Sequence, residues 1–262
     1  MPQTITTTSV KLFQKFAALL AILGGLALVV QSVLTVSHQM DLGRSLGYGV
    51  VVYTGYFTIT TNALCAAIAL AFSPWFATDR RFAGLREPWV VTCATASIVM
   101  VGAVYHLLLS RLFHQEGVQA ICNAVLHYTI PPLFPVLWWF AVPRNSLVWS
   151  DAWRVLAYPL GYLVYVVARG EATGLYPYFF IDVPRIGYAQ ALLNAAGLSV
   201  VFIAAGALLI VIKGTMRPPV TSDADARTTA KHRRGHRDPQ RVAGSRSAGF
   251  GADGVRVLPD HP

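Results

Sequence analysis

Thr58 and His127 are the residues of this 262-residue chain best suited to act together chemically. A threonine hydroxyl is a weak nucleophile until a base removes its proton, and neutral histidine is the usual side chain for that task near neutral pH. Each lies in an apolar stretch, Thr58 within Tyr56-Phe57-Thr58-Ile59-Thr60-Thr61-Asn62 and His127 at the head of His127-Tyr128-Thr129-Ile130-Pro131-Pro132. The other informative polar residues in or at the edge of such stretches are Asn62, His106, Asn123, Tyr165, Arg169, Gln190 and Asn194. Thr54, Thr58, Thr61, Asn62 and Cys65 follow helical spacing and form one stripe, because residues three and four apart share a face. Asn123, His127 and Pro131 stack in the same way. Pro131 and Pro132, with Pro135, free backbone carbonyls just beyond the histidine and predict a kink that opens space there. Tyr158, Tyr162, Tyr165 and Arg169 make a third stripe, leading to Glu171, the Tyr176-Pro177-Tyr178 corner and Asp182. At the water boundary Arg169 could clamp a carboxylate, or else snorkel or pair with a nearby acid.

These residues must be held by membrane-spanning helices. Hydrophobic residues make up 55% of the chain and charged residues only 13%, a balance that does not suit a water-soluble domain. Six apolar stretches run from Leu12 to Val36, Tyr48 to Phe72, Pro88 to Leu112, Val118 to Ala141, Trp153 to Ala168 and Gly187 to Ile212. Most reach the ~20 residues that cross a ~30 Å hydrocarbon core, the fifth being the shortest. The expected fold is an all-α membrane protein, a six-transmembrane-helix bundle over residues 1–212. Lys11 and Lys15 before the first stretch imitate a secretory signal, but Ser32 to Gln39 offers no small-residue cleavage site, so a retained first helix is expected.

Basic residues set the orientation. With both termini cytoplasmic in the cell membrane, only Arg44, Arg111, Arg169 and Arg185 of the 21 basic residues fall on the outer face, a bias in line with the positive-inside rule. That topology puts Thr58 and His127 at a common depth, roughly 15 Å from the outer face at 1.5 Å per residue, and His106 nearer the mouth at roughly 9 Å. Trp138, Trp139, Trp149 and Trp153 read as interfacial anchors on the inner side. Cys65, Cys93 and Cys122 all fall in apolar stretches, an odd number that argues against a disulfide framework.

Residues 213–262 read as a disordered basic cytoplasmic tail, with Pro218-Pro219 followed by polar and charged residues without apolar periodicity. Its cluster of Lys231, His232, Arg233, Arg234, His236 and Arg237 suits anionic lipid headgroups, each charge contributing about 1 kcal/mol near such a surface. Nucleic acid is not expected as a partner, since no aromatics interleave the charges. Gly235 argues against the helix that a His232 and His236 metal pair would need.

The runs Tyr56 to Asn62 and His127 to Pro132, with the loop Tyr176-Pro177-Tyr178-Phe179-Phe180-Ile181-Asp182, resemble a bacterial family of six-span integral membrane proteins. That family is distantly similar to the eukaryotic androgen-induced membrane proteins, which are threonine hydrolases of fatty acid esters of hydroxy fatty acids. The resemblance covers roughly the first 212 residues. It implies Thr58 as nucleophile and His127 as general base, with Asn62 or Asn123 orienting a group or holding an oxyanion. Thr60 or Thr61 could be the matching position instead, one helical turn or less away.

Three other classes fit the same residues. His106 and His127, from adjacent spans, could ligate a single haem iron axially, although no second pair exists to carry an electron across the bilayer. A small-molecule transporter is less well served, because no Asp or Glu lies inside a span and the two halves show no inverted repeat. A structural or partner-binding membrane protein would use the same polar groups as interhelical hydrogen bonds. The chain has no phosphate loop, dinucleotide fingerprint or nucleophile-elbow serine.

Overall fold

A computed structural model describes residues 7–110 and 115–214 of the chain. Among the described residues the secondary structure is helical, with no strand. In chain order the α-helices are α1 (Thr7–Asp41), α2 (Leu46–Thr54), α3 (Phe57–Phe72), α4 (Pro88–Val104), α5 (Gly117–Ala124), α6 (Ile130–Ala141), α7 (Asp151–Arg154), α8 (Ala157–Thr173) and α9 (Val183–Gly214). A 3₁₀ segment, Arg80–Arg86, precedes α4. Two π-helical turns interrupt the regular pattern, Tyr105–Leu109 at the end of α4 and Val125–Thr129 between α5 and α6.

The centre of the bundle is made by α1, α3, α4 and α6, which meet through Ala17, Leu20, Ile68, Ala69, Ala94, Ile98, Phe134 and Leu137. Small residues at these contacts let helix backbones approach closely, as in lipid, where dispersion rather than water exclusion draws helices together. Away from that centre, α1 leaves Leu19, Leu26, Val29 and Val33 exposed, and α9 leaves Leu192, Leu193, Val200 and Leu208 exposed. Ridges of this size facing water would be an aggregation liability, whereas lipid solvates them without cost.

Four helical stretches are long and apolar enough to cross a membrane: Thr7–Asp41, Pro88–Leu108, Gly117–Ala141 and Val183–Gly214. The bent pair α2 and α3 is a fifth if counted as one span. The stretch from Tyr48 to Phe72, expected as one continuous helix, is broken at Gly55 and Tyr56, where the two halves meet at 75°. Tyr56 adopts extended backbone (φ −82°, ψ 132°) and starts the new helix as its N-cap residue. The fifth expected span, Trp153 to Ala168, falls mainly on one shorter helix. Its helix, α8, begins at Ala157 after the one-turn α7 and has 17 residues, short of the ~20 that cross a bilayer unaided. The sixth extends back to Val183 but is interrupted at Gly187, whose φ of 75° lies in the left-handed region open to glycine.

The aromatic anchors also divide. Trp149 and Trp153 are exposed, but Trp138 is buried in the bundle and donates its indole N–H to Thr92 Oγ1 at 2.9 Å. The Lys213 ammonium lies 5.2 Å and 4.7 Å from the ring centres of Trp138 and Trp139 and donates to the Trp139 carbonyl at 2.5 Å. Cys65, Cys93 and Cys122 are buried free thiols. Of the expected tail, residues 213 and 214 instead end α9, whereas Arg111 and residues 215–262, including the headgroup cluster at 231–237, lie outside the described residues.

Candidate active site

The break between α2 and α3 positions Thr58. Phe57 is the first residue of α3 and Thr58 the second, so the hydroxyl sits at a helix start rather than mid-helix. Ending α2 and starting α3 inside the bundle leaves carbonyls and amides without helical partners, which cannot be tolerated in an apolar setting. The α8 stripe and the following loop satisfy them. Tyr162 donates to the Gly55 carbonyl at 2.6 Å, and Tyr165 donates to Thr54 Oγ1 at 3.2 Å. Arg169 donates to the carbonyls of Val51 and Leu175. Tyr178 Oη accepts the Phe57 N–H at 3.0 Å. Further along, Tyr158 donates to Thr60 Oγ1 at 2.8 Å and meets Thr61 Oγ1 at 3.0 Å. The guanidinium of Arg169 lies where a β-carbon on residue 55 would stand, so a larger residue there would have to displace it.

The π turn at Val125–Thr129 positions His127, and its cause is legible in the covalent chemistry. Ile130 N–H bonds the Val125 carbonyl, five residues back, and Pro131 and Pro132 have no N–H to offer. The Leu126 and His127 carbonyls therefore lose their helical donors. Asn62 Nδ2 takes up the Leu126 carbonyl at 3.3 Å while bonding the Thr58 carbonyl at 2.9 Å, tying the two helices together. On the other flank Gly102 brings α4 against the same turn. A β-carbon there would stand 2.9 Å from Pro131 Cβ and 3.3 Å from the His127 carbonyl oxygen.

At the junction Thr58 Oγ1 lies 3.3 Å from His127 Nε2. His127 Nδ1 is 3.2 Å from the Asn123 carbonyl oxygen. A carbonyl can only accept, so the Nδ1 contact is a hydrogen bond only if that nitrogen carries the proton. Nε2 of the neutral ring then presents its lone pair to the Thr58 hydroxyl, the tautomer a general base needs. Tyr105 stacks on the imidazole with ring centres 3.9 Å apart, and Asn123 Nδ2 donates to the Tyr105 hydroxyl at 2.7 Å. The ring is held by two bonds and one stacked face.

A cavity of about 130 Å³ opens beside this pair, between α3, α4, α8 and α9. Its walls are mainly apolar, including Phe57, Met100, Val104, Leu163, Leu198 and Phe202, and Thr58, His127, Tyr162 and Tyr178 bring polar atoms to it. Such a site fits an apolar ligand with one reactive polar group.

The structure thus brings Thr58, Asn62, Asn123 and His127 together, with each asparagine in a specific place. The Asn62 amide nitrogen is spent on two carbonyls and its Oδ1 is buried without a partner, while Asn123 supports His127 and Tyr105. Neither amide nitrogen is offered to an oxyanion beside Thr58. Thr60 and Thr61 face Tyr158 instead of the histidine. His106 is exposed, with its ring edge-on to Tyr128 at 6.1 Å, and it does not line the cavity that His127 borders. The two imidazoles are therefore not presented to a shared space, because Tyr105, its neighbour in the π turn, takes the inward place. Tyr165 and Arg169 serve the broken span. Arg169, expected as a carboxylate clamp, has both terminal nitrogens on backbone carbonyls. Sequence reasoning missed Tyr178 as a site residue; its place in a Tyr-Pro-Tyr corner was the available signal. Among the described residues no group of three or more His, Cys, Asp or Glu could hold a metal ion.

No protein-family model matches the chain, and no curated protein or solved structure does. The class defined by fold and site is a helical protein with membrane-compatible helices and an internal Thr–His pair beside an apolar cavity.

Proposed function

We propose that this chain is an integral membrane hydrolase of lipid esters, using Thr58 as nucleophile and His127 as general base. The observation that carries the reading is the 3.3 Å contact between Thr58 Oγ1 and His127 Nε2 at the edge of an apolar cavity. In the proposed cycle an acyl chain occupies the cavity with its ester carbonyl at Thr58. Thr58 Oγ attacks the carbonyl carbon as Nε2 takes the hydroxyl proton, and the tetrahedral intermediate collapses with the alcohol leaving on that proton. Water then attacks the acyl-threonine with His127 again as base, releasing the fatty acid and restoring the hydroxyl. A contact of 3.3 Å is slightly longer than the working range of about 2.6–3.2 Å, as is common before substrate tightens a site.

The membrane arrangement belongs to the same proposal. Six passes result if the α2 and α3 pair counts as one broken span and α8, lengthened by its flanks, as another. Both termini then lie on the basic inner side of the cell membrane, and the tail meets anionic headgroups. Labelling of single cysteines near Arg80 and near Gly174 tests it: opposite faces are expected, and the Arg80 loop on the outer face would overturn it.

The activity is tested with an alkyl fluorophosphonate, a lipid-like probe that captures activated hydroxyl nucleophiles. Labelling at Thr58 in the wild type and none in Thr58→Ala is the expected result. A wild-type protein that several acyl-lipid probes fail to label would leave a structural, partner-binding role for the same hydrogen bonds.

A further inference from the structure

We propose that Tyr178 is a further catalytic residue of this site, donating its phenolic proton in a hydrogen bond to the oxyanion that forms when Thr58 attacks an acyl carbon. The inference rests on the hydrolase reading and supplies what that reading lacks. A tetrahedral oxyanion in an apolar cavity needs a donor aimed at it, and the two asparagine amides near Thr58 are committed elsewhere.

Three features single out Tyr178. First, its hydroxyl reaches the start of α3, accepting the Phe57 N–H at 3.0 Å one residue before the nucleophile, and it borders the same cavity as Thr58. An oxyanion bonded to the carbon that Thr58 attacks lies one tetrahedral edge from the Thr58 oxygen, in the cavity that both side chains border. Second, the phenol oxygen accepts from the backbone, and an accepting hydroxyl is a polarised and stronger donor through its own proton. Burial pushes the phenol up to about 12, so that proton stays in place through the neutral range. Third, the ring is fixed. It stacks on Phe180 with centres 5.2 Å apart and planes at 9°, and Asn194 donates to the Phe180 carbonyl at 2.9 Å, pinning the loop to α9. Phe57, Thr58, His127 and Tyr178 all border the one cavity, with Tyr178 contributed by a different element from the other three.

No atom is transferred to Tyr178 in this role. Its O–H bond stays intact while the carbonyl π electrons move onto oxygen as the Thr58 bond forms, and the hydrogen bond weakens when the carbonyl re-forms and the alcohol departs.

The test uses the full-length protein in nanodiscs with p-nitrophenyl octanoate as substrate and an octyl trifluoromethyl ketone as probe. The ketone mimics the intermediate by adding Thr58 and developing an oxyanion. Tyr178→Phe is expected to lower kcat about 100- to 1,000-fold with KM nearly unchanged, the usual loss for one oxyanion donor. Ketone affinity should fall by a similar factor, while binding of the unreactive octyl methyl ether stays as in the wild type. A merely structural role would weaken both ligands together. Should Tyr178→Phe fail to fold, 3-fluorotyrosine at position 178 retains shape and donor but ionises more readily, and the alkaline fall of kcat is expected to move to lower pH. Unchanged kcat and ketone affinity in Tyr178→Phe, or an unmoved alkaline limb with fluorotyrosine, overturns the assignment. A wild-type protein inactive on the ester and unlabelled at Thr58 overturns the hydrolase reading itself, a result visible without any Tyr178 variant.

Discussion

Thr58 Oγ1 and His127 Nε2 lie 3.3 Å apart although 69 positions separate them in the chain. Each owes its place to a local failure of the α-helix. Thr58 begins a new helix after the break at Gly55 and Tyr56, and His127 sits in the π turn that Pro131 and Pro132 impose by withholding two N–H donors. Irregular backbone in an apolar setting persists only where other groups satisfy it. The tyrosine and arginine stripe of α8 does so for the first failure and Asn62 for the second.

Thr58→Ala should abolish modification by an alkyl fluorophosphonate, while Thr60→Ala and Thr61→Ala retain it, since those hydroxyls are turned to Tyr158. Thr58→Ser keeps the hydroxyl and should keep labelling. Mass spectrometry of the labelled peptide reads all four variants.

His127→Ala should slow labelling and ester turnover about 100- to 10,000-fold, the usual worth of a positioned general base. His106→Ala, at an exposed ring away from the cavity, should leave both within about twofold. Equal losses in the two variants would contradict the assignment of the base.

Asn62→Leu removes the donor shared by the Thr58 and Leu126 carbonyls without greatly changing side-chain volume. Leaving those acceptors buried should lower stability by about 1–2 kcal/mol, measured by unfolding in mixed micelles. The Thr58 to His127 geometry should loosen with it, so turnover should fall further than the stability loss alone would cause.

Gly55→Ala puts a methyl group where the Arg169 guanidinium lies, and Arg169→Ala strips the Val51 and Leu175 carbonyls of their donor. Each should destabilise by about 1–3 kcal/mol. Together they should cost clearly less than the sum, because the methyl displaces a group already absent. Strict additivity in a double-mutant cycle would show that the two residues act separately.

Much of this was written in short-range patterns. Continuous apolar runs specify helices long and apolar enough to cross a membrane. The i, i+3 and i+4 spacing of Tyr158, Tyr162, Tyr165 and Arg169 puts four polar tips on one face, and all four reach toward the α2 and α3 region; Thr61, Asn62 and Cys65 likewise turn inward and Thr58 borders the cavity, whereas the 75° break cuts Thr54 off from their stripe. The proline cluster after His127 announces missing donors, since that follows from covalent structure alone. What those groups meet is another matter. Arg169 reads as a carboxylate clamp until the fold presents it with the end of a broken helix, Trp138 reads as an interfacial anchor until Thr92 accepts its N–H inside the bundle, and His106 yields the inward place to Tyr105 within one π turn. Gly55 alone does not disclose a 75° bend, because glycine permits a break without requiring one. Local periodicity determines which residues share a face. Which face meets which partner depends on packing between helices far apart in the chain, where one extra residue in a turn rotates every later side chain by about 100°.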